Sequence, residues 1–134
     1  MTAQGGCLCG AVRYEIHGPL VDAGYCHCRL CQKSSGAPVV AWATLAVSGF
    51  RYVLGEAAVY QSSVSGQREL CAVCGTQLVF RSAHSPQTLD ITLASLDDPA
   101  AVPPEYHIWL QSRVSWLHIK DDLPGYEDAG PDIP

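Results

Sequence analysis

The sequence predicts a mainly β domain, built of short antiparallel strands with little helix and held together by metal-binding cysteines. Short apolar stretches, several alternating with polar residues, recur between Gly, Pro and Ser punctuation. All seven cysteines fall in three clusters, Cys7-Leu8-Cys9, Cys26-His27-Cys28-Arg29-Leu30-Cys31 and Cys71-Ala72-Val73-Cys74. With 134 residues, 48% hydrophobic and 16% charged, the chain can bury a core and is too apolar to be disordered. No linker or repeat divides it, so residues 1–134 are expected to form a single zinc-binding domain.

Taken in order, Gly5-Gly6 leads into the first cluster, and 11–16 alternates as a half-buried strand with Val12, Tyr14 and Ile16 on one face. Gly18-Pro19 ends it. A short helical turn is expected over 28–35, with Gly36 as its cap; Cys28 and Cys31, three apart, would then share one face. Strands follow at 39–47, 50–54, 57–61, 77–81, 89–93 and 107–111, separated by Ser48-Gly49, Gly55-Glu56 and the 82–86 turn. Leu89, Ile91 and Leu93 should point inward. Asp97-Asp98-Pro99 marks a turn or a short helix start, and Pro103-Pro104 a stiff connector.

The net charge of −5 is placed unevenly. Asp121, Asp122, Glu127, Asp128 and Asp132 lie in a Pro- and Gly-containing tail of 121–134, which is expected to be solvated. The remainder balances at eight acidic against eight basic residues, which leaves no electrostatic footprint for nucleic acid. The longest apolar run, 39–47, is too short to span a bilayer, and the N-terminus has no signal-peptide pattern. A cytoplasmic location follows, where thiols stay reduced. The sequence assigns no oligomeric state.

An odd number of clustered cysteines suits metal better than disulfides. Thiolates select soft or borderline metals, with zinc the usual choice for C-x-x-C pairs. Gly10 follows Cys9 and Gly75 follows Cys74, whereas Gln32 follows Cys31. A glycine there permits the tight turn that brings backbone N–H groups to the sulfurs. Cys7, Cys9, Cys71 and Cys74 therefore pair as one closed, structural site. Cys26, Cys28 and Cys31 remain as a three-thiolate site with an open position. A closed version would need His27, His107 or His118 as fourth ligand. His27 should point away from the sulfurs of its neighbours, and the other two suit packing. Three thiolates on a dication leave a formal charge of −1, which disfavours hydrolysis by bound hydroxide and suits chemistry on a coordinated thiol.

These stretches resemble the glutathione-dependent formaldehyde-activating enzymes, grouped with centromere-protein-V-like proteins. The resemblance is carried by Gly6-Cys7-Leu8-Cys9-Gly10-Ala11-Val12, by 26–33 with Gly36-Ala37-Pro38, by Tyr60-Gln61-Ser62-Ser63 and Arg68, and by 71–78. Ser95-Leu96-Asp97-Asp98, His107-Ile108-Trp109, Trp116 and Asp122-Leu123-Pro124 extend it toward the C-terminus. Leu70 and Val39 depart from it, standing where aromatic residues are common. The resemblance implies a β-tent of twisted antiparallel sheets, the same four-plus-three division of zinc ligands, and carbon–sulfur lyase activity. The reaction it implies joins glutathione and formaldehyde into S-hydroxymethylglutathione.

Cys26, Cys28 and Cys31 are thus the expected catalytic metal ligands, and a small thiol and an aldehyde the expected substrates. Arg29, Lys33 and Arg68 are cations near the clusters, and Arg29 is the expected partner of a glutathione carboxylate. Two other functions compete. One is a zinc-stabilised protein-binding module using Trp109, Trp116 and the tail, although core packing is the simpler role for the tryptophans. The other is a redox switch at the triplet, which needs an accessible low-pKa thiolate.

Overall fold

In the computed structural model, which describes residues 2–131, ten strands form two sheets and one short helix stands over the larger. Strands β1 (Thr2–Gly6), β2 (Arg13–His17) and β5 (Phe50–Leu54) make an antiparallel three-stranded sheet with β2 in the middle. The second sheet contains β3 (Leu20–Cys26), β4 (Val40–Ala46), β6 (Ala58–Gln61), β7 (Gly66–Leu70), β8 (Gln77–Ser82), β9 (Thr88–Thr92) and β10 (His107–Ile108). Its order is β10-β3-β4-β9-β8-β7-β6. All its pairs are antiparallel except β10 with β3, so the sheet is mixed.

The pleat gives the larger sheet two faces of different chemistry. Ala23, Ala43, Ile91 and Val79 lie in one cross-strand row and pack against Tyr14 and Ile16 of the small sheet. Val12, Tyr14 and Ile16 are buried together as their alternation requires, and so are Leu89, Ile91 and Leu93. The opposite face carries Asp22, Thr44, Asp90, Phe80 and Arg68 in the next row. That second row becomes part of a cavity.

The helix α1 runs Arg29–Ser35. Cys28 is its N-cap, with the sulfur accepting from the Cys31 backbone N–H, and Gly36 closes it at φ 73°. The Asp98-Pro99 signal becomes a 3-10 turn at Pro99–Ala101. The 107–111 strand shrinks to His107–Ile108, because Trp109 takes left-handed backbone at φ 58° and Leu110–Ser112 continues as a 3-10 turn. Three strands lacked a sequence signal: β1, β3 and β7. In β3 the chain is thinned at Ala23 and Gly24, where the Tyr106 ring crosses so closely that any side chain at 24 would collide with it.

The tail is not the free solvated segment its composition suggests, at least through the described residues; Asp132 lies outside them. It docks beside β10 through His107 N–H to Pro124 O (2.9 Å), Tyr126 N–H to His107 O (2.9 Å) and Trp109 N–H to Asp128 O (2.9 Å). Backbone groups that the end of a sheet leaves unpaired are satisfied there. Trp116 also departs from the expected core packing, being 69% exposed. Among the described residues no helix is long and apolar enough to cross a membrane.

Ile91 stands fully buried where the sheets meet, whereas Val59 is 60% exposed on an edge strand. Ile91→Ala should cost about 3 kcal/mol through the cavity it leaves, and Val59→Ala less than about 0.5 kcal/mol. Denaturant midpoints at constant slope measure both.

Candidate metal centres and the adjoining cavity

Among the described residues two cysteine groups bring their sulfurs within 4.8 Å of one another: Cys7, Cys9, Cys71 and Cys74, and Cys26, Cys28 and Cys31. No histidine joins either group. In the first, the Sγ–Sγ distances are 3.7 Å for Cys7–Cys9 and 3.8 Å for Cys9–Cys71. A tetrahedron of sulfurs about 2.3 Å from a central zinc has edges of about 3.8 Å. The donor set and its spacing therefore fit a closed metal site.

The loops that present these sulfurs are built alike. Gly10 and Gly75 adopt left-handed backbone, at φ 83° and 81°, and their N–H groups return to the Cys7 and Cys71 carbonyls. The Val12 N–H then donates to Cys7 Sγ at 3.3 Å, while the Val73 and Cys74 N–H groups donate to Cys71 Sγ at 3.4 Å. Thr76 joins the loops by accepting from Leu8 N–H (3.0 Å) beside Cys74 Sγ (3.2 Å). Its hydrogen bond holds the Cys74 thiol down to about 5. Hydrogen bonds of this kind stabilise the thiolate form that a metal takes.

The second group spans the end of β3 and the first turn of α1. Cys26 and Cys31 are buried, 3.5 Å apart, and Cys28 is half-buried. Hydrogen bonding from Cys26 and Cys31 pulls the Cys28 thiol down to about 2, whereas the same contact pushes Cys26 up. Without a cation, one thiolate here suppresses its neighbours; all three ionise together only around a shared positive charge.

Arg68 reports the sign of that environment. It is 3% exposed, and its Nε and Nη1 find no hydrogen-bond acceptor. Its Nη2 lies 3.7 Å from Cys31 Sγ, and the guanidinium sits over Phe80 and Trp42, 5.0 and 5.9 Å from the ring centroids. A buried cation is costly without an anionic neighbour, and the thiolates provide one. The sequence marks Arg68 only as preceding the third cluster; β7–β8 pairing sets it opposite Phe80 and so under the second. Lys33, by contrast, is exposed.

The triplet opens on a cavity of about 680 Å³. Trp42, Phe80 and Trp109 wall it, Arg29 and His84 are exposed lining residues, and Thr44, Asp90 and Tyr106 line it as well. The Arg29 guanidinium donates from Nη1 to Gln32 Oε1 at 2.6 Å. Gln32, to which the sequence assigned no structural role, is buried and ties the helix to the His27 and Ser112 carbonyls at 2.8 and 3.1 Å. Asp90 is raised to about 6 by burial, against its hydrogen bond from the Thr44 hydroxyl.

His27 turns away from the cysteines beside it, as expected. Its Nε2 is 2.9 Å from His107 Nδ1, and His107 Nε2 is 2.9 Å from Asp121 Oδ2. The His107 N–H holds the Asp121 carboxyl below its usual range. His107 therefore donates to Asp121 and accepts from His27, which fixes both ring orientations. His118 lines a separate hollow with these two rings.

Against known proteins, the model of the family described as glutathione-dependent formaldehyde-activating enzyme matches residues 2–112. A relative from Halomonas elongata, provisionally named a glutathione-dependent formaldehyde-activating enzyme, is 26% identical over 133 residues, with 90% of this chain and 82% of that protein covered. A crystal structure of a Rhodobacter sphaeroides protein aligns with a TM-score of 0.62 at 23% identity, over 91% of this chain and 98% of its own. That likeness speaks to the fold.

Structural zinc contributes on the order of 10 kcal/mol in small metallo-domains, about as much as a whole domain's stability. Cys71→Ser should therefore release metal and unfold the chain, and an unchanged melting temperature with unchanged metal content would overturn this grouping. Asp90 gives a pH signature of opposite origin. Its carboxyl is near 6 when folded against an ordinary 3.8, so the unfolded chain loses this proton first, and folding weakens as pH rises through that window. Asp90→Asn should stabilise the protein by on the order of 2 kcal/mol at pH 7.5, with the gain vanishing near pH 4. Denaturant titrations at both pH values measure it.

Proposed function

We propose, since this chain belongs to the glutathione-dependent formaldehyde-activating enzyme family, that it is a zinc-dependent carbon–sulfur lyase. Its substrates in this reading are small thiol–aldehyde adducts such as S-hydroxymethylglutathione. The carrying observation is the cysteine triplet lining a cavity with a buried cation beside it. Cys7, Cys9, Cys71 and Cys74 hold a structural zinc that closes a β-tent, and Cys26, Cys28 and Cys31 hold the second. Reduced thiols throughout suit the cytoplasm.

A zinc held by Cys26, Cys28 and Cys31 would supply a positive charge that favours the ionised form of a substrate thiol. The chain's own residues do the remainder. Arg68 offsets the negative charge of three thiolates, which protects the site from repelling a fourth sulfur. Trp42, Phe80 and Trp109 exclude water and hold a small aldehyde near the sulfur. The sulfur lone pair attacks the carbonyl carbon, the carbon–sulfur bond forms, and the carbonyl oxygen gains the proton that the thiol gave up. In the lyase direction the adduct hydroxyl loses its proton, the carbonyl re-forms and the thiolate leaves. Arg29 meets a substrate carboxylate in this reading, which its exposed position on the cavity lining supports.

The decisive variant is Cys28→Ser, since Cys28 belongs to the triplet and not to the four-cysteine group. It should stay folded, carry one zinc per chain instead of two, and turn over the glutathione hemithioacetal at the rate of the protein-free blank. Elemental analysis and exchange kinetics measure this. Parent-like acceleration by Cys28→Ser, or a parent no faster than the blank, overturns the mechanism.

A further inference from the structure

The cavity holds a buried arginine and a half-buried carboxyl whose partners are incomplete, and the sheet places them in one row. Arg68 pairs with Phe80, and Phe80 with Asp90, so their side chains rise from the same face on strands β7, β8 and β9. Two strand spacings put the Arg68 and Asp90 backbones about 9–10 Å apart, with the Phe80 ring between them. All three line the cavity that contains the cysteine triplet.

Each charge lacks something. The guanidinium has five N–H donors. One end faces Cys31 Sγ, and Nε and Nη1 remain buried without an acceptor. Aromatic faces beneath it offer cation–π attraction but no lone pair. Asp90 accepts from the Thr44 hydroxyl and forms no ion pair among the described residues. The charged group next along its row is another acid, Asp22, whose carboxylate accepts from Tyr106 at 2.8 Å. The acidic end of the row thus lacks a cation and the basic end lacks an oxygen acceptor. Burial raises the Asp90 carboxyl, which is the cost that a cation beside it would remove.

We propose that Arg68 and Asp90 are specificity-determining residues which select thiols carrying both a carboxylate and an ammonium group. Arg68 receives the carboxylate and Asp90 the ammonium, while the thiol lies at the cysteine triplet. The inference rests on the thiol-binding reading above. It also separates the two arginines: Arg29 is exposed and bound to Gln32, whereas Arg68 has its donors inside.

Calorimetric titration of the zinc-loaded protein tests the proposal with four probes: glutathione, its N-acetyl derivative, its diethyl ester and 2-mercaptoethanol. The parent should bind glutathione about tenfold more tightly than either derivative, the worth of one charge-assisted hydrogen bond. Asp90→Asn should abolish the N-acetyl discrimination and keep the ester discrimination. Arg68→Gln should do the reverse, while Arg68→Lys, which retains a positive charge beside the thiolates, should keep part of the ester discrimination. Zinc content is read for every variant. If Arg68→Gln lowers zinc content while the glutathione-to-ester ratio stays at the parent value, the guanidinium serves the thiolates alone and the proposal falls. Equal parent affinity for all four probes overturns this inference only. No thiol binding at all, 2-mercaptoethanol included, overturns the thiol-binding reading with it.

Discussion

Sulfurs gathered at van der Waals distance without covalent bonds are the constraint on which this structure depends. Thiolates 3.5 to 3.8 Å apart repel one another unless a cation lies between them. The four-sulfur group joins residues 62 apart in sequence, across the loop after β1 and the turn between β7 and β8. Loop-closure entropy makes such a link effective in a small domain whose core alone is modest. Closing it also fixes the β7–β8 hairpin, and that hairpin carries Arg68 and Phe80 to the other cysteine group. The four-cysteine group thereby sets the walls of the cavity at the triplet.

Much of this was legible because it was local. The Cys-Gly turns, the cap at Gly36, and the alternation of Val12, Tyr14 and Ile16 depend on neighbours in sequence. The division of cysteines into four and three was readable from glycine placement alone, and the folded chain gathers the same two groups. What sequence hid was decided across strands. β7 reads Gly-Gln-Arg-Glu-Leu, polar enough to pass for a loop, yet Arg68 and Glu69 are both buried on opposite faces. Glu69 is satisfied by Arg81 and Tyr52, at 2.5 and 2.7 Å, partners 12 and 17 residues away. Such a strand has a pairing pattern but no hydrophobic one.

The C-terminal segment departs from its composition for a related reason. Its acids and glycines indicate solvation when counted, but position outweighs composition. Asp121 ends a hydrogen-bonded chain through His107 to His27, the residue between two cysteines of the triplet. His107 also stacks on Tyr25 at 4.7 Å. The tail thus braces the loop that presents Cys26 and Cys28 from the side away from the cavity. Trp109, the only described non-glycine residue with positive φ, turns the chain between these two roles. A bulky residue in that conformation carries strain, which the Asp128 contact and its packing beside the triplet hold in place.

Charge is the argument for the proposed sulfur chemistry over hydrolysis. Three thiolates around a dication would carry a formal charge of −1, and Arg68, 3.7 Å from Cys31 Sγ, would bring the local sum to zero. With such a dication bound, a substrate thiolate would enter a neutral rather than a repelling site, while a hydroxide would gain little from so electron-rich a metal. An arginine suits the task better than a lysine, because it stays protonated and lies flat on Trp42 and Phe80. The same planarity leaves donors to spare. The buried, unsatisfied guanidinium is therefore both the counter-charge of the triplet and the feature most in need of a ligand.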